Sequence, residues 1–308
     1  MKISNREEKD RVNFMEKKIE KKQRKKELKN IVLLGLLFAI VGSVGVYAWF
    51  SISNRARVEN LALIADHQGN LQIADDLGNG PGTYSDVLDL TKATGASNIS
   101  NTILSPVTTK DGVNFYLPNY NSLTQTVESV SQITNQEELK KYYIYEKTFY
   151  LKAGTEKNNS VANINRTYDI ALYGVNSSNK VNGCYIYQPT SNGDTAANSI
   201  RVSFTLEDGQ TYIYEPNCDV HNSDDSRAID GVKNEFGLYS TYQQKQNGLF
   251  VNSPKTNESE KMFTIKENVD VKVTMRIWIE GTDVDCTNSI AADTIAGQIQ
   301  FVSTEIKN

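Results

Sequence analysis

The clearest signal along this chain is strict alternation of apolar and polar side chains, the signature of a strand with one face buried and one solvated. Over Asp270 to Glu280, Val271, Val273, Met275, Ile277 and Ile279 fall on one face, and Lys272, Thr274, Arg276, Trp278 and Glu280 on the other. Over Ser199 to Glu207, Ile200, Val202, Phe204 and Leu206 point one way, and Arg201, Ser203 and Thr205 the other. Both segments read as central antiparallel strands whose second face meets water.

Shorter stretches of the same kind lie at Val58 to Ala65, Leu71 to Ala74, Tyr142 to Lys152, Tyr168 to Gly174, Cys184 to Tyr187, Thr211 to Tyr214, Met262 to Lys266 and Gly297 to Ile306. Asp66-His67-Gln68-Gly69-Asn70 reads as a hairpin turn joining the first two. Helical signal in this region is confined to Gln136 to Lys141 and Ile290 to Ala296. Many short strands separated by Asn-, Ser- and Gly-rich loops predict an all-β fold, a jelly-roll-like antiparallel β-sandwich with long loops. No fixed repeat period is visible, which disfavours a solenoid or propeller.

The alternation begins only after a different kind of segment. Ile31 to Phe50 is a run of 20 uncharged, mostly apolar residues, enough for a helix of about 30 Å. The 29 residues before it carry 12 Lys/Arg against 6 Asp/Glu, and the rest of the chain carries 21 against 31. A basic flank stays cytoplasmic, so everything from Trp49 onward is expected outside. Val46 and Ala48 are the small residues that signal peptidase requires for a cut before Trp49. A single-pass anchor is the alternative. The chain therefore divides into a basic helical leader (1–29), an apolar signal or transmembrane helix (30–50) and an extracellular β-domain (51–308). Membrane and signal peptidase are its partners during export, and the acidic balance of the exported part argues against nucleic acid.

Candidate chemistry is sparse. The three cysteines, Cys184, Cys218 and Cys286, show no C-x-x-C spacing, and Cys184 with Cys218 is the shortest disulfide closure, with free thiols as the other reading. His67 and His221 belong to no H-E-x-x-H helix, so zinc-protease geometry is not encoded. Asp283 and Asp285 could give a calcium ion two oxygens, although no complete calcium-loop pattern surrounds them. Neither a nucleophile elbow nor a phosphate-binding loop occurs, and the chain is read as a non-enzyme without a resident cofactor. Tyr142, Tyr143, Tyr145, Phe149 and Tyr150 crowd into nine residues, as strand-compatible aromatics or as a binding stripe.

Four segments carry a resemblance. Gly45-Val-Tyr-Ala-Trp-Phe-Ser51 resembles the export signals of the TasA and camelysin family. Leu104-Ser-Pro-Val-Thr-Thr-Lys-Asp-Gly-Val-Asn-Phe-Tyr116, Ser199-Ile-Arg-Val-Ser-Phe204 and Arg276-Ile-Trp-Ile-Glu-Gly-Thr-Asp-Val-Asp-Cys286 are similar to segments of related exported proteins of Gram-positive bacteria. The resemblance implies a jelly-roll-like sandwich, secreted or held at the cell surface, in a family whose best-known members build biofilm matrix fibres. Camelysin-like members are described as surface metalloproteases, an activity this chain lacks the motif to inherit. It departs from the fibre-forming members in its cysteines, long loops and basic leader.

The leading expectation is thus an exported structural or matrix protein whose copies associate with one another or with other surface proteins by strand addition. Trp49 to Leu63, with Val58, Leu61 and Leu63, is the donor candidate, or else the first strand of its own domain. The competing expectations are a calcium- or carbohydrate-binding surface module and a camelysin-like surface metalloprotease.

Overall fold

The computed structural model describes residues 55–65, 71–92, 99, 102–121, 127–154, 166–173, 183–189, 195–216, 250–251, 261–283, 285–286, 290 and 293–306, with positions 24, 25, 29, 30 and 32 of the leader helical. Contacts divide the chain into Met1–Ile52 and Ser53–Asn308. The cleavage residues Val46, Ala48 and Trp49, and the apolar run apart from Val32, lie outside the described residues. Among those described, no helix is long and apolar enough to cross a membrane. Both histidines and Cys218 also lie outside them.

Ser53–Asn308 is built of β-sheets, almost all antiparallel. The first sheet runs β14 (Phe263–Lys266), β9 (Thr167–Leu172), β16 (Thr294–Glu305), β1 (Ala56–Ala65), β3 (Val87–Asp89), with β10 (Tyr185–Tyr187) on β16 and β4 (Thr102–Leu104) on β1. The second runs β13 (Phe250–Val251), β12 (Thr211–Tyr214), β11 (Ile200–Leu206), β15 (Val271–Ile279), β8 (Ile144–Ala153), β2 (Leu71–Asp75). A third, small sheet contains β5 (Thr108–Thr109), β6 (Phe115–Tyr120) and β7 (Val127–Gln132).

The first two sheets share one core. Phe301 of β16 meets Phe149 of β8 at 5.8 Å and Phe204 of β11 edge-on at 5.2 Å between ring centroids. Leu63, Ile73, Met275 and Ile299 fill the same layer, all fully buried. Burying such side chains contributes about 1.5–3 kcal/mol each, which makes this layer the main source of cohesion.

β1 is the central strand of its sheet. It pairs in parallel with β16 from Arg57↔Thr294 to Ala65↔Phe301, and its other edge is taken by β4 over Ala56–Val58 and by β3 over Ala62–Ile64. Val58, Leu61 and Leu63 are buried in this position, where β1 is a strand of its own sheet with both edges bonded. The hairpin expected around residues 66–70 is corrected, because β1 and β2 belong to different sheets. The helix expected at Ile290 to Ala296 gives way to β16 from Thr294 on, since Ile295 is needed in the core and pairs with Val58.

The third sheet lies on the outer face of the second sheet. The helix α1 (Gln136–Tyr142) completes this cover; Asn135 caps its start by accepting from the backbone N–H groups of Glu137 and Glu138. Val107, Phe115, Ile133 and Leu139 from the cover pack on Ile144, Ile213 and Trp278, with Phe115 edge-on to the Trp278 ring at 5.3 Å. Trp278 was expected to meet solvent and is fully buried; the cover removes the water its face would have met.

The turn between β5 and β6 is held by Asp111, whose carboxylate accepts from the backbone N–H groups of Val113 and Asn114 and from the Asn114 amide. At its tip Gly112 has φ +71°, and a Cβ there would lie 2.8 Å from Cβ of Ser203 on β11. The Ser203 hydroxyl donates to the Gly112 carbonyl at 2.9 Å, fixing the turn to the sandwich. Gly112→Ala should therefore lower stability by about 1–3 kcal/mol through overpacking and a left-handed backbone, read as a drop in the urea midpoint. Phe301→Ala, which empties the core where three strands meet, should cost about 3–5 kcal/mol in the same measurement.

Candidate functional site

The covered half of the second sheet's outer face encloses a cluster of buried charges. Arg201 on β11 was expected to face solvent but is fully buried, and its guanidinium is the hub. Its Nη2 lies 3.0 Å from Glu215 Oε1 and donates to Asp283 Oδ2 at 2.5 Å. Its Nη1 donates to the carbonyls of Asn198 and Ile200, each at 3.0 Å. The planar fork of arginine suits this role, because it donates to one carboxylate and two carbonyls while its charge lies against a second carboxylate. Burial alone would draw its proton off, but Glu215, Asp283 and Glu280 outweigh that and hold the charge more tightly than usual.

Glu280, at the end of β15, is fully buried beside the hub. Its Oε1 accepts from the Thr282 hydroxyl at 2.7 Å and the Thr282 N–H at 3.1 Å, and its Oε2 accepts from the Trp278 indole N–H at 3.1 Å. Burial still dominates and lifts its carboxyl above the ordinary range, against the opposing pull of these bonds, Thr108 and Arg201. Tyr120 of β6 donates to the Gly281 carbonyl at 2.7 Å, and burial, with Cys286 and Glu280 adding to it, keeps its phenol protonated. Burial, then Asp283 and Glu280, also raise the Cys286 thiol, leaving it a poor nucleophile.

Sequence brings these groups together through the strand periods. Arg201 and Trp278 are opposite one another in the β11–β15 register, so the outer faces of both strands meet there. Val107 bridges to Glu280 in parallel, and the Gly281 N–H donates to the Val107 carbonyl at 2.8 Å, which stitches the cover to the end of β15. The ion pairs of Arg201 tie the ends of β11, β12 and β15 to one another beneath the cover, and Glu280 links the cluster to the cover through Thr108 of β5. It presents no base next to an activated nucleophile.

The open half of the same face is a ladder of paired charges and rings. Lys152 bonds Asp270 at 2.7 Å and lies over the Tyr84 ring, while the Tyr84 hydroxyl donates to Asp270 at 2.7 Å. Lys272 bonds Asp76 at 3.0 Å and lies over Tyr150. Arg276 donates to Glu146 at 2.9 Å and to Thr205 at 3.0 Å. Half-buried tyrosines beside fixed donors and acceptors are the chemistry that hydroxyl-rich ligands use.

The expected site residues are dispersed. Asp283 is buried against Arg201, and Asp285 donates its N–H to Asp283 Oδ1 at 2.8 Å. Of the oxygens that the calcium expectation invoked, Asp283 Oδ2 accepts from the Arg201 guanidinium. Among the described residues no group of three or more His, Cys, Asp or Glu is placed to hold a metal ion. Cys184 is a buried free thiol that donates to the Gln300 carbonyl at 3.4 Å, its pKa pushed up to about 12 by burial. Of the tyrosine-rich stretch, Tyr145 and Phe149 belong to the main core, Tyr142 is exposed and Tyr150 half-buried. Arg201 and Glu215 escaped sequence reading, whereas Glu280 stands out there only as an acidic neighbour of Asp283 and Asp285. The signal that could have found Arg201 was an arginine inside a strand whose other residues are all small or apolar.

No family model matches the chain, and neither a curated protein nor a solved structure matches it.

Arg201→Ala should cost about 3–5 kcal/mol, because it strands buried carboxylates without their counter-charge; chemical denaturation measures it. Glu280→Gln tests the sign of the buried acid. Its folded pKa lies above its value in the unfolded chain, so ionised Glu280 opposes folding at high pH and not at low. The stability of Glu280→Gln relative to the parent should therefore be flat below about pH 4, rise through the acid-to-neutral range and level off above the folded pKa. Denaturation midpoints across that range check it.

Proposed function

We propose that this chain is an exported structural protein of the cell surface or extracellular matrix, whose β-domain is a jelly-roll-like sandwich and whose copies associate through their sheets. One observation carries the reading. Its most chemically distinctive groups, Arg201, Glu215, Glu280 and Asp283, are spent on tying the strand ends of the second sheet together beneath the third. Buried charge of that kind serves architecture, and it costs desolvation that a protein sustains where a fixed arrangement of layers is needed.

Export rests on the apolar run Ile31–Phe50, on its basic flank and on the signal-peptidase pattern of Val46 and Ala48 before Trp49. β1 begins at Ala56, only a few residues beyond that run. Cleavage before Trp49 would leave a short tail ahead of the sandwich, and retention would tether the domain close to a bilayer. The resemblance of its sequence segments to the TasA and camelysin family supports matrix assembly.

A second reading is favoured by the open ladder: Tyr84, Tyr150, Lys152 and Lys272 suit a surface module for hydroxyl-rich polymers. Two measurements separate the readings. Fractionation of producing cells should place the protein at the surface or in the medium, and its recovery from the cytosol would refute export. Negative-stain microscopy and sedimentation should show self-association that grows with concentration. A protein that stays monomeric while Tyr84→Ala and Tyr150→Ala abolish binding to cell-wall polysaccharide would transfer the conclusion to the second reading.

A further inference from the structure

Self-association through sheets requires an edge able to accept a strand, and natural sheets blunt most of their edges. In the first sheet β3, β4 and β10 are three residues long, and β14 exposes Lys266 beside Thr264. In the second, β13 has two residues, and β2 is closed by Ser85, which exchanges backbone hydrogen bonds with Ile73 at 2.8 and 2.9 Å, and by Gly82, which donates to the Asp75 carbonyl. In the third, β5 has two residues. β7 differs: Val127-Glu-Ser-Val-Ser-Gln132 is six residues long, has no lysine, arginine or proline, and pairs only with β6 among the described residues.

The ladder tells which of its backbone groups face outward. The Ile133 N–H donates to the Phe115 carbonyl at 2.9 Å, and the register continues Tyr116↔Gln132, Leu117↔Ser131, Pro118↔Val130, Asn119↔Ser129. Hydrogen-bonded and non-bonded pairs alternate in an antiparallel ladder. Leu117–Ser131 and Asn119–Ser129 are therefore bonded pairs, and Tyr116–Gln132 and Pro118–Val130 are not. Proline, which has no N–H, occupies a position where β7 asks nothing of it. Val130 and Gln132 consequently direct their N–H and C=O groups to the outer edge.

We propose that β7 is a self-recognition edge: two copies of this chain join their β7 strands antiparallel about a two-fold axis at Val130, merging their two small sheets into one. The proposal rests on the self-association reading above and names the surface that performs it. In this register Val130 faces Val130 of the second copy, Ser129 faces Ser131, and Glu128 faces Gln132. A carboxylate meets an amide, hydroxyls meet hydroxyls, and no like charges oppose; a register placing Glu128 opposite itself would be repelled. The bulge between Asn119 and Tyr120 turns the Glu128 end, which keeps the pairing short and the dimer weak. An isologous pairing of this kind closes on itself, and the covers of two sandwiches become one continuous layer.

Sedimentation equilibrium of the full chain in density-matched mild detergent tests it. Val130→Pro removes an outward N–H and no bond to β6, so it should weaken dimerisation at least about tenfold while leaving the far-ultraviolet spectrum unchanged. Gln132→Glu sets carboxylates against Glu128 of the second copy and should weaken it at low salt, whereas Gln132→Lys should strengthen it and lose that gain as salt rises. The Gln132 pair keeps the test decisive if Val130→Pro fails to fold. Association that all three variants leave unchanged would overturn the β7 edge and spare the self-association reading. A strictly monomeric parent protein would overturn both.

Discussion

The arrangement of layers turns on one buried guanidinium. Arg201 sits where the second sheet would otherwise offer a polar, wetted face, and its bonds to Glu215, Asp283 and two carbonyls let that face be sealed under a third layer. Around it the apolar patch of Trp278, Phe115, Ile213 and Leu139 is small, with few side chains compared with the main core. Apolar burial alone gives the cover modest cohesion. The charge cluster adds specificity of placement, because buried charges tolerate only the geometry that pairs them.

The two interfaces therefore differ in kind. Between the sandwich sheets, Phe149, Phe204, Phe301 and their aliphatic neighbours form a core that substitution of similar volume can repack. Beneath the cover, a one-residue shift of β11 against β12 or β15 would remove Arg201 from Glu215 or Asp283. The Gly112 turn on Ser203 and the Tyr120 bond to Gly281 pin the cover at two further points. A layer fastened at several separate points is held as a plate.

Much of the antiparallel sheet structure is legible in the chain. β11 and β15 follow from their alternation, and the helix at Gln136 follows from Asn135 and the acidic first turn. The third sheet is not legible: β6 contains a proline and β7 is mostly polar, so both resemble loop when read residue by residue. That omission explains the others. Once the cover is missed, Arg201, Trp278 and Glu280 fall on a face that alternation assigns to water, and Asp283 looks free for calcium. The pairing of β1 with β16 is likewise hidden, since no local pattern records a partner more than two hundred positions away.

That last pairing has a consequence for how the molecule comes into being. Among the described strands β1 comes early and β16 late in the chain, yet each covers the other's edge along most of its length. Until Thr294–Glu305 arrives, β1 has only the short β3 and β4 beside it, and its apolar face waits without Phe301 and Ile299. Contacts so distant along the chain slow folding and leave nascent edges exposed. A polypeptide without Thr294–Glu305 thus has nothing to join β1 to β9, and its first sheet falls into two separate pieces.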